Sequence, residues 1–510
     1  MIAPVFRRGL SLSDWLLLAV PALLHLALAL AIHLSPDEAH YALYASRLDW
    51  SYFDHPPLIG WVQWPFLQAG GGDLPMRIAP MAAWLITALI LARLTDALFP
   101  DLPRVWGLRP DLLLYCLSLM PNLLGVAWVP DTLLTGLSCA VMLVTWRLCR
   151  HSGEAESLGL WVLLGVLLGL AGLSKYTAVI CAAGAGAALS LARGPALLRQ
   201  RGFWIALAIA ILFVLPVFAW NAAHDWTSFR YQLSRAHGGE HWQLVRSLQF
   251  AAVIWLAHGL LLPACWALAW RHTRIPAYGS NLTPLTFTLL FAAPGLAGLA
   301  LLAGRGGTLP HWVQPFVVCA MPLAAAGLTR LWGGRPRVAG LGLIAQALLC
   351  LLAFAVTAAG GWSAAASGAA APGDGAQVSR QSPNPIADLH GWDSAARRAA
   401  DIARNAGIGT LAVVNWSMAS RIAWYARPMP VKVVNARTDQ FDLWFGTLSG
   451  AEDALLVQHS GMGHPLPVGG YGFRSCEVVD TMPVERAGRR IATFSFHACR
   501  YWMGAAGQAQ

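Results

Sequence analysis

Windows of about 20 consecutive apolar residues, each long enough to cross a hydrocarbon core of roughly 30 Å, recur through the N-terminal part of the chain and stop after Gly360. Such a chain is expected to be mainly α, a polytopic membrane protein. The spans fall near 14–34, 78–99, 111–128, 132–149, 158–173, 177–192, 203–220, 247–270, 283–303, 311–329 and 338–359, about 11 crossings. Composition agrees: 57% of 510 residues are hydrophobic and 12% charged, outside the soluble globular range. The first run, Trp15 to Leu34, follows Arg7 and Arg8 and lacks a small-residue cleavage site, so it reads as a retained signal anchor.

The net charge of +10 does not point to nucleic acid, because basic residues of a membrane protein collect in its cytoplasmic loops. Alternate loops test this. One set carries fifteen arginines, among them Arg93, Arg147, Arg271 and Arg335, and the other carries seven basic residues, Arg47, Arg77, Lys175, Arg230, Arg235, Arg246 and Arg305. The bias puts the N-terminus in the cytoplasm and the second set outside, with the unusual polar features of the chain. Only two of 35 basic residues are lysines, Lys175 and Lys432. Seven of the nine cysteines lie in apolar runs and read as small hydrophobes; Cys476 and Cys499 lie in a polar region, where they can pair if it is periplasmic.

Residues 1–360 thus form a transmembrane domain with its first outer loop at 35–77. A linker rich in Ala, Gly, Ser and Pro follows at 361–385, and residues 386–510 form a small outer α/β domain. There "GWDSAARRAADIARNAGI" has helical period, and "GTLAVVNW" and "MPVKVVNA" have strand character.

The first outer loop reads "SPDEAHYALYASRLDWSYFDHPPLIGW". Ser35 as N-cap, Pro36 at the first helical position and Glu38 at the third make a capping box, so a helix starts here. Tyr41, Tyr44, Ala45 and Leu48 give it an apolar stripe suited to the membrane interface. Capping consumes Glu38, whereas Asp37 points to a different azimuth and is available for another task. Pro56 and Pro57 hold Asp54 and His55 in an extended turn.

The stretches "PDEAHYALYASRLDWSYFDHPPLIGW", "WVPDTLL", "LSKYTAVI", "WNAAHDWTSFRYQLS" and "TDQFDLW" together resemble the GT-C superfamily of polyprenyl-phosphate-sugar-dependent glycosyltransferases. The similarity is to the bacterial branch akin to protein O-mannosyltransferases and the lipid A aminoarabinose transferase. It implies an inverting transfer from an undecaprenyl-type phosphate carrier to an acceptor hydroxyl of lipid A, a glycan, a lipid or a protein. The reaction would occur on the periplasmic face of a bacterial inner membrane, with Asp37 as catalytic base.

Because a lipid phosphate leaves as a stable anion, a separate general acid is unnecessary and the remaining need is for cations and donors. His55 stands where related transferases often carry a lysine. Lys175, flanked by apolar helices, is costly to place there without an anion. Arg230, Arg235, Arg305, His311 and Trp312 complete the expected phosphate contacts. Glu38, Asp54 and Asp131 are expected to support or position the acceptor, with an N-cap as the plain alternative for Asp131. No cofactor is required; a divalent cation is compatible, but two carboxylates and a histidine do not name a metal. The expected partners are the polyprenyl-phosphate sugar donor, the lipid bilayer and a cell-envelope acceptor. Trp424, Tyr425 and Trp444 offer stacking faces for a sugar or belong to a core. A transporter or flippase for a lipid-linked saccharide is the alternative, and it requires polar residues at mid-membrane.

Overall fold

The apolar runs fold as helices whose breaks fall where a proline withholds a backbone donor. A computed structural model of the protein describes residues 9–150, 158–237, 241–272, 282–361, 386–435 and 437–504. The expected linker, from residue 362 onward, and Arg7, Arg8 and Arg274 lie outside the described residues. The chain resolves into two units: Met1–Leu26, Leu48–Phe66 and Arg77–Leu352 form one, and Ala27–Arg47, Leu67–Met76 and Ala353–Gln510 the other.

Among the described residues, seven helices are long and apolar enough to cross a membrane: Leu12–Ala31, Asp73–Leu98, Pro130–Arg150, Ala178–Arg199, Arg201–Ala223, Pro284–Ala303 and Pro336–Ala358. Two bent pairs, Leu244–His258 with Leu262–Arg271 at 90° and Pro310–Cys319 with Met321–Gly334 at 69°, are long and apolar enough only together, each as a broken span or a re-entrant loop. Leu158–Ser174 is apolar but shorter, at 17 residues. The run expected at 111–128 is divided between the short helices Pro110–Leu117 and Leu119–Leu123. A proline follows each break: Pro121, Pro263 and Pro322 have no N–H for the carbonyls of Leu117, Gly259 and Val318, four residues back. Gly259 takes a φ of 149°, which L side chains rarely adopt.

Backbone groups freed at the breaks are satisfied inside the first unit, as an apolar surrounding demands. Asn122 Nδ2 donates to the carbonyls of Cys116 and Ser118 at 2.8 and 2.7 Å, and Ser118 Oγ reaches the carbonyl of His258. Gln346 Oε1 accepts from Leu260 N at 2.9 Å. Elsewhere small residues let helices approach closely. A Cβ at Gly165, Gly169 or Gly172 of the Leu158 helix would stand 2.6 Å from Ala206, Phe213 or Val214 of the Arg201 helix.

The second unit holds a five-stranded sheet of β1 (Leu411–Val413), β2 (Val431–Val433), β3 (Ala454–His459), β4 (Phe473–Arg486) and β5 (Arg489–Trp502). The order is β2-β1-β3-β5-β4. β1 runs parallel to β2 and β3, while β3–β5 and β5–β4 are antiparallel. Alanines 395, 396, 399, 400 and 403 of the helix Trp392–Asn405 are buried. The helix and the first two strands occupy the three stretches that the sequence pattern singled out. Cys476 of β4 and Cys499 of β5 form a disulfide.

The helix Pro36–Ser46 belongs to this second unit and departs from expectation in one respect. Its residues Tyr41, Tyr44 and Ala45 are buried against protein aromatics, with rings such as Trp444 5.9 Å from Tyr44, so the stripe is not an interfacial face. Leu48 lies beyond the helix end and is exposed. Trp424 is also core, 1% exposed, with the Arg427 guanidinium 3.4 Å over its ring, and offers no open face to a sugar.

Candidate active site

In the second unit the Pro36 helix opens as its sequence dictates. Ser35 Oγ accepts from Glu38 N at 3.3 Å, and the Glu38 carboxylate accepts from Ser35 N at 3.0 Å. Glu38 is thus spent on the cap and buried, whereas Asp37 is half-buried. Ser420 and Tyr425, of the helix Trp416–Tyr425, fix this segment: Ser420 Oγ lies 3.3 Å from His40 Nδ1. The Tyr425 hydroxyl accepts from Leu34 N at 2.9 Å and donates to Asp73 at 2.8 Å, which employs its polar end. Arg421, fully buried between them in sequence, donates from Nη1 to the carbonyl of Asp388 at 2.6 Å and forms an ion pair with its carboxylate. Burial pushes its guanidinium pKa down, and the charges of Asp388, Tyr425 and Asp37 oppose that shift. Asp37 therefore shares the electrostatic field of a buried arginine. Trp444 is half-buried, with Arg47 5.9 Å from its ring.

In the first unit, residues distant in sequence converge. Pro130 starts the helix Pro130–Arg150, so Asp131 sits inside its first turn and is not the N-cap. Its carboxylate takes Lys175 Nζ in a two-oxygen grip at 2.8 and 2.7 Å, and both side chains are buried. His311 Nε2 stands 3.7 Å from the same carboxylate. Trp312 presents its ring to Lys175 Nζ at 5.2 Å and to Arg235 Cζ at 4.9 Å, distances at which a cation is held by an aromatic face. Lys175 and Arg235 thus share one indole, and Asp131 holds Lys175.

The loop with Asp54 and His55 is tied to the helix Thr227–His237 of the same unit: Gln232 Nε2 donates to Asp54 O at 2.6 Å, and Phe53 and Tyr231 rings meet at 4.8 Å. Tyr52 N donates to His55 O at 3.1 Å and closes the turn. Arg230, on that helix, and Arg305 are exposed. Sequence reasoning overlooked Tyr176, whose hydroxyl lies 2.6 Å from Ser228 Oγ, and Gln232. Both lie inside stretches that carry the family resemblance, LSKYTAVI and WNAAHDWTSFRYQLS, and that was their signal. Beside Lys175 and Tyr176 opens an apolar cleft of about 510 Å³ lined by Leu168, Ala182, Phe203, Val214 and Phe229, among others. Among the described residues, no group of three His, Cys, Asp or Glu side chains is placed to hold a metal ion. The second lysine, Lys432, pairs with Glu452 at 2.9 Å within the sheet domain.

Broken apolar helices, a small mixed-sheet domain and an acidic first loop define a membrane protein with the fold of the GT-C glycosyltransferases. The chain resembles ArnT and the protein O-mannosyltransferases. Residues 54–220 match the family model described as dolichyl-phosphate-mannose-protein mannosyltransferase. A lipid A galacturonosyltransferase, RgtD of Rhizobium johnstonii, is 28% identical over 219 residues, which is 42% of this chain and 44% of that protein. The match therefore spans less than half the length of this relative. Two crystal structures of ArnT from Cupriavidus metallidurans, apo and bound to undecaprenyl phosphate, superpose with TM-scores of 0.61 and 0.60. Each is 16% identical, over 95% of this chain and 98% of that one, a likeness of fold.

Proposed function

We propose that the protein is an inverting glycosyltransferase that moves a sugar from a polyprenyl-phosphate carrier to an acceptor hydroxyl at the outer face of the inner membrane. The observation that carries this reading is the pairing of Lys175 and Arg235 around Trp312 with the apolar cleft that begins at Lys175 and Tyr176. A cationic end and a long apolar wall suit one amphiphile, a phosphate on an isoprenoid tail. In the reaction the acceptor oxygen forms a bond to the anomeric carbon as the carbon–oxygen bond to phosphate breaks. The phosphate departs with the electron pair, and Asp37 takes the hydroxyl proton. Arg235 and the remaining Lys175 proton stabilise the charge gathering on the phosphate, and Asp131 orients Lys175.

The Cys476–Cys499 disulfide supports an oxidising compartment for the sheet domain, and the arginine bias of the loops supports the same orientation. Lipid A as acceptor is supported by the named relative. Buried Asn122, Ser118 and Gln346 each bond backbone groups at the helix breaks, a structural role that does not call for the transporter alternative. The test is sugar transfer in membranes holding Asp37→Asn. Loss of transfer with the donor still bound is expected, and undiminished transfer would sink the assigned base. Mass spectrometry of lipid A and surface glycans from a strain lacking the protein identifies the acceptor.

A further inference from the structure

The β4–β5 hairpin ends in Arg486, Ala487, Gly488, Arg489 and Arg490, and through Arg486 this end is fastened to the ends of two apolar helices. Arg486 Nη2 donates to the carbonyl of Ala31, the last residue of the helix Leu12–Ala31, at 2.8 Å. Arg486 Nε donates to His390 Nδ1 at 3.0 Å. That ring nitrogen must accept, so Nε2 carries the proton and is directed at Thr357 O, 3.3 Å away, in the last turn of the helix Pro336–Ala358. Gly360, at φ 84°, lets Arg486 and Ile491 come close: a Cβ there would stand 3.0 and 3.1 Å from them. Leu30 is 67% exposed, so the lipid-facing side of the first helix runs to its final turn.

The ends of spanning helices mark where hydrocarbon gives way to headgroups, a layer of roughly 5–7 Å on each side of the bilayer. Ala487 and Gly488 have φ of 50° and 71°, a tight turn that keeps the tip near its base. Arg489 stands across from Arg486, and Arg490 across from Glu485. Both Arg489 and Arg490 are exposed. Helix-end capping engages Arg486, and residues 485–490 also carry the exposed Arg489 and Arg490 beside one glutamate, Glu485, so the formal charge of this stretch is positive. Guanidinium groups pair with phosphate in two-pronged fashion, and basic residues beside a spanning helix are drawn to anionic lipid.

We propose that this hairpin tip is a docking element for the phosphate headgroups of the surrounding phospholipid bilayer, held at that depth by Arg486. The inference rests on the reading of these helices as membrane spans, not on the assignment of a catalytic base. It is tested with the full chain in nanodiscs, carrying a fluorophore at Ala487→Cys, a non-glycine position already at positive φ. Quenching by a headgroup-nitroxide lipid is expected to be several-fold stronger than by a water-soluble nitroxide. It should rise further when phosphatidylglycerol replaces part of the phosphatidylcholine. The rise should vanish in Arg489→Gln/Arg490→Gln and persist in Arg489→Lys/Arg490→Lys, with an intact Cys476–Cys499 bond certifying the fold. Equal quenching by the two probes, or a rise that survives the glutamine pair, overturns the proposal. So does a rise seen with lipid A but not with phosphatidylglycerol, which would make the ligand the acceptor.

Discussion

Lys175 and Asp131 are 44 residues apart, and their pairing sets the energetics of the site. Both are buried, so removing one strands the charge of the other, which costs about 3–5 kcal/mol. Lys175→Met is expected to lower the unfolding free energy of the detergent-solubilised protein by that amount. Adding Asp131→Leu should restore part of it; strictly additive losses in the double variant would mean that the pair is not coupled. The lysine was legible because it is one of two and sits between apolar helices. Its partner was not, since an aspartate after a proline reads as a local cap and only the fold reveals that Pro130 already occupies the first helical position. Asp37 and Glu38 were separable from sequence because a capping box assigns one of two adjacent carboxylates by its spacing.

Among the elements, the Leu158 and Arg201 helices pack closely and also line the apolar cleft. Gly169 leaves 2.6 Å between a hypothetical Cβ and the Phe213 side chain, too little for any real one. Gly169→Val must push the helices apart or force Phe213 from its rotamer, at about 1–3 kcal/mol. Lower thermal stability of the solubilised protein and weaker binding of a polyprenyl phosphate are expected. Gly159→Ala, where nothing lies within 4 Å, serves as the neutral comparison, and equal stability of the two variants would count against close packing as the role of Gly169. Helix existence was readable from apolar runs of this length. Continuity was not, because a window average registers the oiliness of residues 111–128 and is blind to the carbonyl four residues before Pro121. The apolar stripe of the Pro36 helix was likewise visible as a pattern, while the surface that buries it comes from residues near 416 and 444, too far along the chain for periodicity to supply.

For the molecule as a whole, the sheet domain carries buried ionisable groups with opposing pH dependence. Burial, with the nearby charges of Arg486 and Arg421 respectively, lowers His390 and His459 to about 4. Unfolding lets each take a proton below its ordinary value near 6.5, so their stabilising contribution is present above that pH and is lost as pH falls through 4. Asp439, the N-cap of the helix Gln440–Phe445, runs the other way: burial raises it to about 6 against the bond from Phe441 N. Its contribution is present below pH 4 and lost as pH rises through 6. His497, lowered by burial, and Asp388, raised by burial, add one group to each side. Near pH 5 the histidines outweigh the aspartate by about one proton taken up on unfolding, so the domain should lose roughly 1.4 kcal/mol per pH unit on acidification. Asp439→Asn removes the opposing group and should steepen that slope about twofold. Hydrogen exchange of peptides from 386–435 and 437–504 in the full-length protein, followed from pH 7 to 4, measures it once corrected for intrinsic exchange. A flat profile, or one identical in the variant, would show that these three side chains do not govern the acid response of the sheet domain.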